Sequence, residues 1–449
     1  MNAALPIPAT LALCFVFVAA AMLGSAINWA TYNWAWNPRA ISPWGHPPQG
    51  GPPRCWRDRL PIVGWLGLRR EATLHGVAFW IRPMLVELAT AIGLAWLYHR
   101  EVIQQGLFEF PLGTPLPLGV SVDVAILHQQ FLAHVLLIGL ALVASLIDID
   151  EKLIPDEVTV TGTILGLIIA LVLPFSLLPD LAAGSEPSVV AMPFVLAPNL
   201  QGLLPPGSVP HHSLLTATSP NVWPAELAGS PNGKSLLIGL GCVWFWCFAI
   251  LPRPWYTRHG LARALRVCTA RMMRGFWTLR SLILLVGGST LVLGGWLWGG
   301  AHWAGLLTAL IGMFGGGAIV WVVRIIGAMT LRREAMGFGD VLLMMMIGAF
   351  MGWQACLVIF FLAPFAGLLI GVLQMLARRD QEIPYGPFLC LATLFTLLAW
   401  PSVWDRLYRL FAVGWLVPYV LVGCLLAMIV LLMLVRIVKS VIFRAEEPT

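Results

Sequence analysis

The chain has 449 residues, of which 59% are hydrophobic and 11% charged. A soluble protein carries about 45–50% apolar and about 25% charged residues, so a soluble globular domain is excluded and a polytopic membrane protein is expected. The formal charge of +6 does not point to nucleic acid, because the basic residues cluster beside apolar runs, as they do in cytoplasmic loops.

In chain order, residues 11–27 form a first apolar run with no basic residue before it, read as a retained span rather than a signal peptide. Residues 33–82 carry Arg39, Arg54, Arg57, Arg59, Arg69 and Arg70 among prolines and glycines. That excess predicts a cytoplasmic loop domain with little regular structure. Residues 84–98 are a second span, 99–130 an outside segment, and 131–147 a third span ending in Asp148, Asp150 and Glu151. A fourth covers 158–178, with Asp156 placed to cap it just after Pro155.

Residues 179–234 hold about ten prolines and almost no positive charge, so an outside loop with little packed core is expected. Its His211-His212 pair reads as ordinary loop residues. Spans follow at 235–251, 281–298 and 304–323, with an arginine-rich cytoplasmic loop after the first of them. The run 341–376 is long enough for two spans, breaking near Gly352, and shorter spans are expected at 388–400 and 411–435. The implied fold is an all-α, polytopic helical bundle of about eleven transmembrane helices with a small cytoplasmic loop domain. Counted in order, each basic loop falls on one side, and Asp148 and Asp340 fall there too.

The eight cysteines form no Cys-x-x-Cys pair and lie mostly in or beside apolar runs. They read as small buried hydrophobes, with no zinc site or disulfide framework.

Gly337-Phe338-Gly339-Asp340 stands between two apolar runs, so a carboxylate opens a membrane helix. Alone, it reads as a helix cap. With Asp148 at the end of another span on the same side, it suggests an aspartyl pair, one acid activating water and the other polarising a peptide carbonyl. Intramembrane acids also serve ion coupling in transporters, and spacing alone leaves both chemistries open.

Asp148 with Ile154-Pro155-Asp156, followed by Gly337-Phe338-Gly339-Asp340, resembles the paired signatures of bacterial type IV prepilin peptidases, the Gly-x-Gly-Asp membrane proteases. Gly24-Ser25 with Asn28, the run from Leu60 to Leu66, Glu87 and Ile383-Pro384-Tyr385-Gly386-Pro387 resemble further motifs of that family. The likeness covers roughly residues 11–178 and 304–400. It implies an inner-membrane aspartic endopeptidase of type IV pilus or type II secretion systems. Such an enzyme cuts prepilin or pseudopilin precursors after a leader Gly at the cytoplasmic face, with the lipid bilayer as its setting. Asp148 and Asp340 would be the catalytic pair, Asp148 being chosen over Asp150 because it lies seven residues before Pro155. Asp150, Asp156, Pro155, Gly337, Gly339 and Glu87 would support them.

Proteolysis of this kind needs no metal and no cofactor. The resemblance also implies N-methylation of the new amino terminus from S-adenosylmethionine, an activity associated with the loop. Many members bind zinc there through two Cys-x-x-Cys pairs, whereas this loop holds only Cys55; Asn33 stands where Arg is common, and Leu342 where Lys is common. These departures weigh against zinc and leave methylation open. The expected organisation is a first helix (1–30), the loop domain (31–82), a first half of the peptidase core (83–178), an insertion (179–303), a second half (304–400) and a final helix with a basic tail (401–449). A transporter and a non-catalytic assembly protein are the competing readings.

Overall fold

Apolar runs deprived of water must satisfy their own backbone, and the helix is the way to do so within one segment. In the computed structural model the described residues are 8–39, 41–45, 47, 50–108, 120–182, 194–196, 216–218, 221, 223–228, 232–251, 278–331, 336–376, 384–414 and 416–444. Eleven principal helices follow: α1 (Ala9–Asn33), α2 (Ile81–Tyr98), α3 (Val124–Glu151), α4 (Asp156–Val172), α5 (Gly233–Ile250), α6 (Leu279–Trp298), α7 (Gly300–Leu331), α8 (Gly339–Leu376), α9 (Gly386–Leu398), α10 (Trp400–Ala412) and α11 (Leu416–Arg444). The helical membrane fold is therefore present. Two antiparallel ribbons of three-residue strands accompany it: β1 (Val120–Val122) with β3 (Phe194–Leu196), and β2 (Asp180–Ala182) with β4 (Thr216–Thr218).

The span count differs from the expected eleven. Seven helices among the described residues are long and apolar enough to cross a membrane, or eight if the α9–α10 pair, bent by 90°, is one broken span. The reasons are geometric. With 17 residues, α4 reaches only about 26 Å, and with 13 residues α9 reaches only about 20 Å, against about 30 Å of hydrocarbon. Gly352 breaks α8 at the expected place (φ 80°, ψ 174°) into two helices across a kink, and by length and composition the stretch Gly339–Ile370 counts as a single candidate span. The apolar part of α11 is short, Leu416–Val430.

The loop domain is more ordered than its composition suggests. Short helical turns at Trp56–Arg59, Val63–Leu68, Arg69–Glu71 and Ala72–His75 pack around Tyr32, Trp65 and Leu68. Two ion pairs close it: Arg54 grips buried Glu71 through two bonds of 2.8 Å, and Arg70 grips Asp58. The Asp58 bond raises the Arg70 guanidinium further above its ordinary range.

Helix α8 is wedged between α7 and α4 by glycines. On the α7 side, a Cβ on Gly312 would run into the Gly348 carbonyl, and one on Gly348 into the Gly312 carbonyl. One turn further along α7, a Cβ on Gly316 would stand 2.8 Å from the Met344 carbonyl. On the α4 side, Gly162 meets Met346, and a Cβ on Gly166 would lie 3.0 Å from Ala349. Both helices thus present small residues four apart, the spacing that lets helix backbones approach closely in lipid. At the far end, α10 turns across the bundle, its Trp400 and Trp404 stacked at 5.1 Å and donating to Pro179 O and Asp180 Oδ1, each at 2.7 Å.

A bulky side chain at the α7–α8 contact has only backbone to displace. Gly348→Leu is expected to destabilise the protein by about 1–3 kcal/mol. Gly294→Leu, at a position with nothing within 4 Å of a built Cβ, is expected to be near neutral. Thermal unfolding of both variants in detergent checks the contrast.

Candidate active site

The last turn of α3 carries Asp148 inward. The helix stops just beyond it: Lys152 adopts a left-handed conformation (φ 55°, ψ 35°), and its N–H donates to the Asp148 carbonyl at 2.8 Å. Three residues lead to α4, with Pro155 extended at φ −68°, ψ 142° directly before it. Asp156 was expected to cap α4. It is instead the first helical residue; Pro155 occupies the cap position, without a side-chain cap bond. The Asp156 side chain lies 3.7 Å from Arg280.

Asp340 sits in the first turn of α8, where the wedge of glycines fixes its height. Ile154, in the turn between α3 and α4, is the meeting point. A Cβ on Gly339 would stand 3.0 Å from Ile154 Cβ. One on Gly386, the first residue of α9, would run into Asp148 Oδ2 and stand 2.9 Å from Ile154 Cδ1. Gly337 keeps a Cβ position 3.6 Å from Asp340 Oδ2, so this part of the loop also passes close to the carboxylate.

Three interruptions of helix therefore converge: the α3–α4 turn, the Gly337–Gly339 loop and the start of α9. Asp148 and Asp340 are 3% and 5% exposed and within coulombic reach of one another. The Gly386 backbone N–H, free at the start of α9, approaches the Asp148 carboxylate. Arg324 of α7 and Tyr385 also lie within electrostatic reach of Asp340. Cys390 of α9 lies beside Ser145, with both carboxylates in reach. The contributions of Ser145, Cys390 and Arg324 had no motif to reveal them; only the glycine spacing on α4 and α7 signalled which helices would meet.

The other singled-out acids lie elsewhere. Asp150, rotated around α3 from Asp148, accepts from Arg82 at 2.7 and 2.9 Å and lies 3.5 Å from Arg39. It ties α3 to the base of α2 and to the loop domain. Glu151 accepts the backbone N–H groups of Trp36 and Asn37 at 2.7 and 3.0 Å.

Glu87 centres a separate buried cluster. Its carboxylate accepts from Ser25 Oγ (2.7 Å), Asn28 Nδ2 (3.2 Å), Trp65 Nε1 (2.9 Å) and the Ile62 N–H. A Cβ on Gly24 would come within 2.7 Å of Glu87 Cα, so α1 and α2 touch there. Residues 24–28, 62–65 and 87, far apart in sequence, form one structural pin.

Among the described residues no group of three or more His, Cys, Asp or Glu is placed to hold a metal. In the loop domain Cys55 is exposed and its neighbours are the ion pairs already described, a set that does not fit a zinc tetrad. The His211-His212 pair and most of the arginine-rich loop after α5 lie outside the described residues.

Residues 278–372 match the model of the type IV leader peptidase family. That stretch contains Asp340 but neither Asp148 nor α5. The chain is 31% identical over 116 residues to the prepilin leader peptidase/N-methyltransferase of Aeromonas hydrophila, covering 24% of this chain and 40% of that protein. It is 34% identical over 112 residues to the one of Pseudomonas aeruginosa, covering 24% and 38%, and 32% identical over 105 residues to one of Burkholderia pseudomallei, covering 22% and 33%. The chain thus spans about two fifths or less of the length of these relatives. No solved structure matches it. Over residues 278–372, and over no larger share of the chain, the sequence is therefore similar to the type IV leader peptidase family.

Proposed function

We propose that the protein is an aspartic endopeptidase of the cytoplasmic membrane that removes the leader peptide from type IV prepilins or pseudopilins, cutting after a Gly at the cytoplasmic face. The observation that carries this reading is the convergence of two buried carboxylates, from helix ends far apart in sequence, around Ile154 and Gly386.

Two carboxylates in one dry site hold a single proton between them, because charging both is costly. The ionised acid draws a proton from water as the water attacks the peptide carbonyl; the protonated acid donates to the developing oxyanion. The proton then passes to the leaving amine, and the pair is restored without metal or covalent intermediate. Asp148, which the Gly386 backbone N–H approaches, and Asp340, which lies near Arg324 and Tyr385, divide these two roles between them. Asp150 and Glu87 hold helices and loop in place and touch neither reacting atom; Asp156 lies at the entrance to α4.

The relatives' names also include an N-methyltransferase. In this chain the polar groups around Glu87 are occupied by one another.

Co-expression with a pilin-like precursor from the same genome, read by mass spectrometry of the mature amino terminus, checks the reading. Cleavage after the leader Gly is expected, and Asp148→Asn and Asp340→Asn are each expected to abolish it while the protein still inserts. Normal cutting by either variant sinks that residue's role. The same mass shows whether a methyl group is added.

Gly386→Ala places a methyl group against Asp148 Oδ2. Since a misplacement of about 1 Å can cost about 100-fold, cleavage is expected to fall by roughly that factor. Gly423→Ala, where a Cβ meets nothing within 4 Å, is expected to cleave normally in the same assay.

A further inference from the structure

Phe338 stands between two glycines, so it is the one side chain by which the Gly337–Gly339 segment can be held. Its carbonyl accepts from the N–H groups of Val341 (3.0 Å) and Leu342 (3.3 Å), closing the first turn of α8. Asp340 lies within that turn. Whatever fixes Phe338 therefore fixes the direction of the Asp340 carboxyl.

The ring of Phe338 is held by α7. Trp321 meets it edge-on, with centroids 5.3 Å apart and planes at 89°. One turn further, the Arg324 guanidinium lies 5.5 Å from the Phe338 centroid, and its Nε donates to the Met336 carbonyl at 3.0 Å. Trp321 is in turn backed by α5. Phe248 stacks on it at 5.7 Å and 20°, and Phe245 meets it at 5.3 Å while touching Phe314 at 4.7 Å. Phe245 and Phe248 are three apart, and so share a face of α5. These separations fall within the range in which aromatic pairs attract beyond simple burial. Across the loop, Ile154 abuts Gly339, so the segment is clamped between α5–α7 and the turn that follows Asp148.

Helix α5 lies outside the family-matched stretch, and nothing so far gives it a task. We propose that α5 is a positioning element for the active site: Phe248 and Phe245 hold Trp321, Trp321 and Arg324 hold Phe338, and Phe338 holds Asp340. The rings act on the carboxyl through the loop and do not touch substrate. Being rigid and closely packed, they resist the rotation that two flanking glycines otherwise allow. The rate measurement below rests on the peptidase reading; the labelling measurement does not.

In the intact membrane-embedded protein, Phe248→Ala and Trp321→Ala are expected to lower kcat about tenfold and to change KM by less than about twofold, within the range of coupling carried by packed side chains. Phe248→Tyr, which keeps the ring, is expected to retain wild-type kcat. In a Phe338→Leu background Phe248→Ala is expected to cost nothing more, because the grip it acts through is gone. Wild-type kcat in both alanine variants overturns the proposal, as does an equal loss in the two backgrounds, which would mark general destabilisation.

Maleimide labelling of Asp340→Cys, with the native cysteines replaced, reads the same grip without catalysis. Phe248→Ala is expected to raise the labelling rate several-fold and Phe248→Tyr to leave it unchanged; equal rates in all three overturn the proposal. If the wild-type protein cleaves no precursor while labelling behaves as expected, the peptidase reading fails and the positioning role stands.

Discussion

The contact on which the rest depends is the approach of α8 to α7 at Gly312 and Gly348, where each backbone carbonyl occupies the place of the other glycine's side chain. Lipid supplies no hydrophobic drive for one apolar helix to leave it for another, so association relies on close packing. Gly162 and Gly166 repeat the device against the other side of α8. With α8 held on two faces, the position of its first turn is no longer adjustable. That turn carries Asp340, and α4 delivers the turn that follows Asp148 to the same place.

Two kinds of buried carboxylate result, and their surroundings separate them. Glu87 is met by two side-chain donors from α1, an indole N–H and a backbone N–H from the loop domain. A buried acid so fully satisfied fixes structure, since removing it would strand its donors. Asp148 is buried too, but the donor that approaches it is a single one, the Gly386 backbone N–H at the start of α9. A buried acid with so few donors is held less firmly than Glu87, as the proposed chemistry requires. Asp150, two residues away, shows the opposite solution, being paired with Arg82 and Arg39.

Much of this was legible in the sequence, because hydrophobic runs and a Gly-x-Gly-Asp segment report local physics. The cores of α1, α2, α3, α5, α6 and α7 follow from apolar length, and the break at Gly352 follows from a glycine amid polar and bulky neighbours. Span number was not legible, since whether a short helix such as α4 or α9 crosses or stops depends on its neighbours and on the 90° bend after α9. The order of the loop domain was hidden for a related reason: the Arg54–Glu71 and Arg70–Asp58 pairs join residues that look like ordinary charged loop positions. The Asp156 cap was misplaced because Pro155 already supplies the extended residue that a helix start needs. At the site itself, motifs singled out the acids and Gly386, but Ser145, Cys390 and Arg324 enter only through packing between helices.

The central claim is that Asp148 and Asp340 face one another across a single site, and cross-linking tests it most directly. Asp148→Cys and Asp340→Cys would be combined in a cysteine-free background and treated in native membranes with a short bifunctional thiol reagent, with Arg82→Cys and Asp150→Cys as the control pair. The account predicts an intramolecular link between positions 148 and 340, found by mass spectrometry as a joined peptide. A link at 82 and 150 with none at 148 and 340, in protein that is inserted and reactive at each single cysteine, would contradict it.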